Sequence, residues 1–263
     1  MSTPAPAAPP TWDLSEFAKL VTDKIGPTHC DAMLPALNSI HPKLERSRSH
    51  STLALGLMAP HKGSVSNDPI HQAIEGMRML TVANEQSAKF VESLTQASDH
   101  TVAFAQSLHA TADYLAKAIY LGFDMRGRHG ATLSDTQVGL KNVAKKMETR
   151  PALAPVRVAI VNYLTSPAFV YLSAYVNTEK HHLAVSTSYS LSMSVNAVSS
   201  GGLQLEGFTY SGATYPKKWA SELFENAFSE ILAHTIGVGR AASDYLRGLP
   251  DLAPLAPVAA ATV

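Results

Sequence analysis

Cysteine is almost missing from this chain. Cys30 stands alone among 263 residues, which excludes an intramolecular disulfide framework and any cysteine-based zinc cage, so a reducing intracellular compartment is expected. Charge is also sparse: 16% of residues are Asp, Glu, Lys or Arg, and 21 cations balance 21 anions to a formal net charge of zero. No run of about 18 consecutive apolar residues occurs, so no membrane span is expected. The opening MSTPAPAAPP has neither a basic start nor an apolar core and is not expected to act as a secretory leader.

Catalytic signatures are missing in the same way. There is no P-loop, no G-x-S-x-G elbow, no H-E-x-x-H and no C-x-x-C. GVGRAA (237–242) matches the end of a dinucleotide fingerprint. It follows an amphipathic helix rather than a strand, so close helix packing is its expected role. His181 and His182 are adjacent, which on a strand points them to opposite faces, and no metal site is expected. Asp99-His100 and Asp113 could serve an acid–base site, whereas Glu222, Glu225 and Glu230 read as the solvated face of a helix. An enzyme is the third-ranked reading, and no cofactor is expected.

What the chain does have is small residues. Proline (16), alanine (38) and serine (26) make 80 of the 263 residues. Proline and alanine concentrate at the ends, in PAPAAPP and LAPLAPVAAA, which read as disordered arms over 1–11 and 250–263. Between them, 12–249 reads as a single mainly helical domain.

Helical spacing runs through 12–25 until Gly26-Pro27, and a short helix is expected around Cys30–Leu37. Asn67-Asp68-Pro69 opens a long stripe from Ile70 to Leu94, and a possible break at Ser98-Asp99 precedes a second, from Val102 to Ile119. Residues 133–150 read as a basic-faced helix closed before Pro151. Residues 154–176 read as core helices interrupted by Pro167, with a strand as the alternative. Period-two alternation over 182–198 and again over 203–210, around Ser199-Ser200-Gly201-Gly202, predicts one late β-hairpin at about 182–210. Helical spacing returns over 215–249, ended by Gly248 and Pro250.

The cations are the remaining candidates for function. Lys43, Arg46 and Arg48 form one cluster. Arg126, Arg128 and His129 form another, in MRGRHG (125–130) between two helices, where Gly127 is the expected left-handed helix terminator. Lys141, Lys145 and Lys146 share one helix face, and Arg150 and Arg157 follow. No carboxylate interrupts Val138 to Met147, so a neutral total conceals a local basic stretch from about 126 to 157. Lysines and arginines so placed contact phosphate backbones without reading base sequence. A solvated helix face is the alternative.

With those tails and the Pro-Ala-Ser excess, the chain resembles the proline-alanine-serine-rich proteins of polymycoviruses, fungal viruses with segmented double-stranded RNA genomes. The resemblance spans the whole chain but rests on composition and layout, with no short motif to carry over. It implies a protein that coats double-stranded RNA, self-associates along it and works in the host cytoplasm as a virion-like ribonucleoprotein. It implies no membrane and no small-molecule cofactor. The zero net charge departs from a simple charge-neutralising coat, so avidity from assembly would have to supply affinity. The alternatives are a helical capsid or nucleocapsid subunit of another virus, or a helical scaffold without a nucleic-acid role.

Overall fold

In the computed structural model, residues 11–61, 84–181, 184–191 and 201–252 are described. Among them are seven α-helices: α1 (Leu14–Lys24), α2 (Pro27–Met58), α3 (Glu85–Gly122), α4 (Leu140–Met147), α5 (Ala154–Thr165), α6 (Pro167–His181) and α7 (Ala220–Arg247). Five short strands lie late in the chain: β1 (Thr187–Leu191), β2 (Gly201–Leu205), β3 (Phe208–Tyr210), β4 (Ala213–Tyr215) and β5 (Lys218–Trp219). The architecture is mainly α with a small late antiparallel sheet. The chain divides into two compact units, each assembled from separated segments. The first takes residues 1–39, 112–163 and 234–263; the second takes 40–111 and 164–233.

In the first unit α1 begins at Asp13, whose carboxylate accepts from the Ser15 and Glu16 amides, satisfying two of the orphan donors at a helix start. Gly26 takes φ +131°, and Pro27 occupies the first position of α2, as the Gly-Pro pair predicts. Phe17, Val21, Met33, Ile119, Phe123 and Tyr163 are among its fully buried side chains. The C-terminal arm was expected from residue 250, yet the chain is held through Leu252. Lys24 pairs with Asp251 at 2.5 Å, and the Leu252 amide donates to the Asp23 carbonyl. Residues 1–10 and 253–263 lie outside the described residues, as does the stripe from Ile70 to Ala83.

Two helices are longer than the sequence predicts. α2 does not stop near Leu37 but runs to Met58, through Pro35 and Pro42. Both prolines are exposed, so the carbonyls they leave without helical donors face water rather than a core. α3 runs unbroken past Ser98-Asp99. Phe90, Ala97, Thr101 and Phe104 bury one continuous face there, and that burial outweighs the weak helix preference of serine and aspartate. In contrast, α4 is shorter than the expected 133–150, because it starts only after Gly139.

The second unit holds the sheet, ordered β1-β2-β5 and antiparallel throughout. The alternation predicted over 182–198 is seen in β1, while 192–200, with the first half of the expected turn, lie outside the described residues. Tyr189 packs edge-on against Phe90 with centroids 5.2 Å apart. Ser188 and Ser190 hydroxyls donate to Glu206 and Gln204. The second half of the expected hairpin differs, because LQLEGFTY is two strands parted at Glu206-Gly207. β3 turns back through Ser211 (φ +49°) and Gly212 (φ +81°) onto β4. Two consecutive positive φ values make the two-residue turn that matches strand twist. The end of β4 and then β5 take 215–219 from the expected last helix, so α7 starts at Ala220 rather than near 215.

Beneath the small hairpin, α6 stacks Tyr171 and Tyr175 against Phe208, which lies flat on Tyr215 at 4.9 Å. Both tyrosine hydroxyls are buried with no hydrogen-bond partner among the described residues. Burial, reinforced by the Glu222 charge, pushes Tyr171 up to about 12. Burial also raises Tyr175. Because an unsatisfied buried hydroxyl costs free energy, Tyr175→Phe is expected to raise stability by about 1 kcal/mol. A urea-unfolding midpoint checks this, and a comparable loss would mean that the hydroxyl has a partner.

Candidate nucleic-acid interface

The loop MRGRHG begins where α3 ends. Asp124 adopts the left-handed conformation (φ +47°), its amide donates to the Leu121 carbonyl, and the Met125 amide reaches back to Tyr120. This pair of bonds is a Schellman cap with aspartate in the usual glycine position. The terminator is therefore Asp124 and not Gly127, as the sequence suggested. Gly127 serves another purpose: its amide donates to Asp124 Oδ1 at 2.9 Å, and any Cβ there would collide with that carboxylate. The amide that a phosphate loop would aim outward is already occupied by the loop's own acid.

The structure sorts the predicted cations into tethered and untethered groups. Arg128, although exposed, donates to the Lys24 carbonyl at 2.9 Å. Arg150 donates to the His129 carbonyl. Arg157 pairs with Glu148 at 3.0 Å. His129 is half-buried, its Nε2 3.4 Å from the Tyr245 hydroxyl. Burial, then Arg150 and Arg128, hold it below the ordinary histidine value, so it stands neutral at pH 7 and is not a cation of the face. Arg126, Lys141, Lys145 and Lys146 are different. None has an acid partner or hydrogen-bond acceptor among the described residues.

Helix α4 explains how three of these four are presented. Leu140, Val143, Ala144 and Met147 are buried, so the lysines between them fall toward water by helical geometry. Across 126–157, seven Lys and Arg stand against two carboxylates, Asp135 and Glu148, and Glu148 is already engaged by Arg157. All these residues belong to the first unit.

Lys43, Arg46 and Arg48 belong to the second unit. They lie on α2, where Ser47 between the arginines is buried and donates to the Phe104 carbonyl at 3.3 Å. The Arg48 guanidinium lies 5.8 Å above the Phe228 ring. The two clusters were candidates for one function, and the contacts divide them between units.

Other candidates receive simple placements. His100 faces His50 of α2, and Asp113 is exposed. Gly239 of GVGRAA packs directly under the Trp12 indole, the helix-packing role expected of it. No group of three or more His, Cys, Asp or Glu side chains among the described residues could hold a metal ion. No single helix among them is long and apolar enough to cross a membrane.

The molecule is thus a mainly helical protein with a small antiparallel sheet and an acid-poor basic segment in its first unit. No family model, curated protein or solved structure matches the chain.

Proposed function

We propose that this protein coats double-stranded RNA in the manner of the polymycovirus proline-alanine-serine-rich proteins, self-associating along a genome in the host cytoplasm as a virion-like ribonucleoprotein. The observation that carries this reading is the set of unpaired cations Arg126, Lys141, Lys145 and Lys146 on an acid-poor segment. Such cations are suited to phosphates and to the shallow groove of A-form RNA, not to base edges. The same segment favours self-association: Pro151, Ala152, Ala154, Pro155 and Val158 are all exposed, an apolar strip that a neighbouring subunit would cover. A few contacts per subunit are weak alone and strong when many subunits share one RNA.

Retardation of double-stranded RNA at about 50 mM salt tests the proposal. Wild type is expected to bind unrelated duplex sequences alike. Replacing Lys141, Lys145 and Lys146 with alanine is expected to lower the slope of log K against log salt by about 2 to 3, at roughly 0.9 per lost phosphate contact. Arg157→Ala, which removes a cation already paired with Glu148, is expected to leave the slope near its wild-type value. Absence of retardation at low salt, with no RNA on the purified protein, would overturn the proposal in favour of the helical scaffold, which the zero net charge favours. A marked preference for single strands would point instead to a nucleocapsid subunit of another kind.

A further inference from the structure

His50 on α2 and His100 on α3 meet with their Nδ1 atoms 3.1 Å apart and ring centroids 5.2 Å apart. Two neutral imidazoles can bond this way only if one carries its proton on Nδ1 and the other on Nε2. One added proton preserves the bond, now as imidazolium to imidazole. A second removes the only acceptor and places two charges at hydrogen-bond distance. We propose that His50 and His100 form a proton-operated clasp between α2 and α3 in the second unit, closed by a shared proton and opened when both rings are protonated.

The surroundings favour a switch over a metal site. Only two ligating nitrogens converge, and the charges acting on His50 are His100 from α3 and Arg46 from its own helix. No carboxylate among the described residues offsets them: none contributes at His50, and Asp99, beside His100 in the chain, is exposed. A divalent cation would meet two ligands and a guanidinium, which is too little donor and too much charge.

The sign of the pH effect follows. Burial, His100 and Arg46 hold His50 below its ordinary value. The folded unit therefore prefers the neutral ring. Its contribution is present above the ordinary histidine value of about 6.5 and is lost as pH falls from there through the lowered folded value. The clasp sits one turn from Ser47 Oγ, which donates to the Phe104 carbonyl. Together these two bonds tie α3 to the stretch of α2 that bears Lys43, Arg46 and Arg48. Opening the clasp loosens the second cation cluster whether or not that cluster touches RNA.

Eleven histidines would blur a simple pH profile, so the test is a double-mutant cycle. Urea unfolding of the full chain is measured for wild type, His50→Gln, His100→Gln and the double variant, at pH 7.5 and pH 5. The expected coupling between the two positions is favourable at pH 7.5 and weaker at pH 5, where a second proton begins to compete with the bond. The pairwise factor is expected to fall by about threefold or more between the two pH values. Equal coupling at the two pH values would overturn the proposal. Should a variant fail to fold, the imidazole tautomers of wild type decide. Long-range proton–nitrogen spectra at pH 8 are expected to show one of the two rings protonated on Nδ1. Both rings protonated on Nε2 would overturn it.

Discussion

Valine in place of Gly239 is expected to cost the protein about 3 kcal/mol, while alanine in place of Gly237, two residues earlier on α7, is expected to gain about 0.5–1 kcal/mol. The two glycines differ only in what lies beyond their Cα atoms. Gly237 is exposed with nothing within 4 Å of where a Cβ would sit, so alanine removes a flexible residue from a helix at no steric cost. A Cβ on Gly239 would overlap the Trp12 indole. That ring also packs edge-on against the fully buried Phe17, with centroids 5.3 Å apart, and buries its Nε1. It can yield only by leaving that contact, and crowding of this kind costs about 1–3 kcal/mol, more for a branched side chain in a closed site. A reciprocal change supplies the control: Trp12→Leu should recover part of the loss in Gly239→Val. Thermal and urea unfolding of the four variants measure the effect. Equal responses at the two glycines would show that Trp12 does not rest on α7.

Phe104→Ala is expected to cost about 3–5 kcal/mol, the ordinary range for emptying a large aromatic site in a core. Phe104 is fully buried and meets Phe224 edge-on with centroids 4.7 Å apart. Its carbonyl accepts the Ser47 hydroxyl. The substitution keeps that carbonyl but removes the packing that holds it in place. Phe104→Leu should cost roughly 1–2 kcal/mol, because most of the volume is kept. Denaturant midpoints distinguish the two. An alanine variant within about 1 kcal/mol of wild type would refute the Phe104–Phe224 packing.

Much of the fold is legible from local chemistry. The 3.6-residue stripes within the described residues, the Gly26-Pro27 stop, Pro167 at a helix start and the alternation over 187–190 depend on neighbours within four residues, and the structure has each of them. The candidate site is legible only in part. Composition locates the basic segment and periodicity assigns Lys141, Lys145 and Lys146 to one face. Neither distinguishes a cation that is free from one that is engaged. Arg128 finds the Lys24 carbonyl 104 residues away, and His129 finds Tyr245 across 116. Arg150 and Arg157 are tethered over shorter gaps by groups that no local pattern marks.

By itself, then, the sequence determined a mainly helical chain with late strands, proline- and alanine-rich ends and one acid-poor basic stretch. Hydrophobic period and turn residues act between near neighbours and can be read in order. The tertiary structure decided which breakers were overruled: exposure lets water satisfy the carbonyls that Pro35 and Pro42 leave without donors, and burial of the neighbouring face outweighs the poor propensity of Ser98-Asp99. It also decided which cations of the basic stretch are tethered and that His129 stands neutral. Those outcomes depend on carbonyls, carboxylates and rings that distant segments bring within 4 Å, and chain order does not encode that distance.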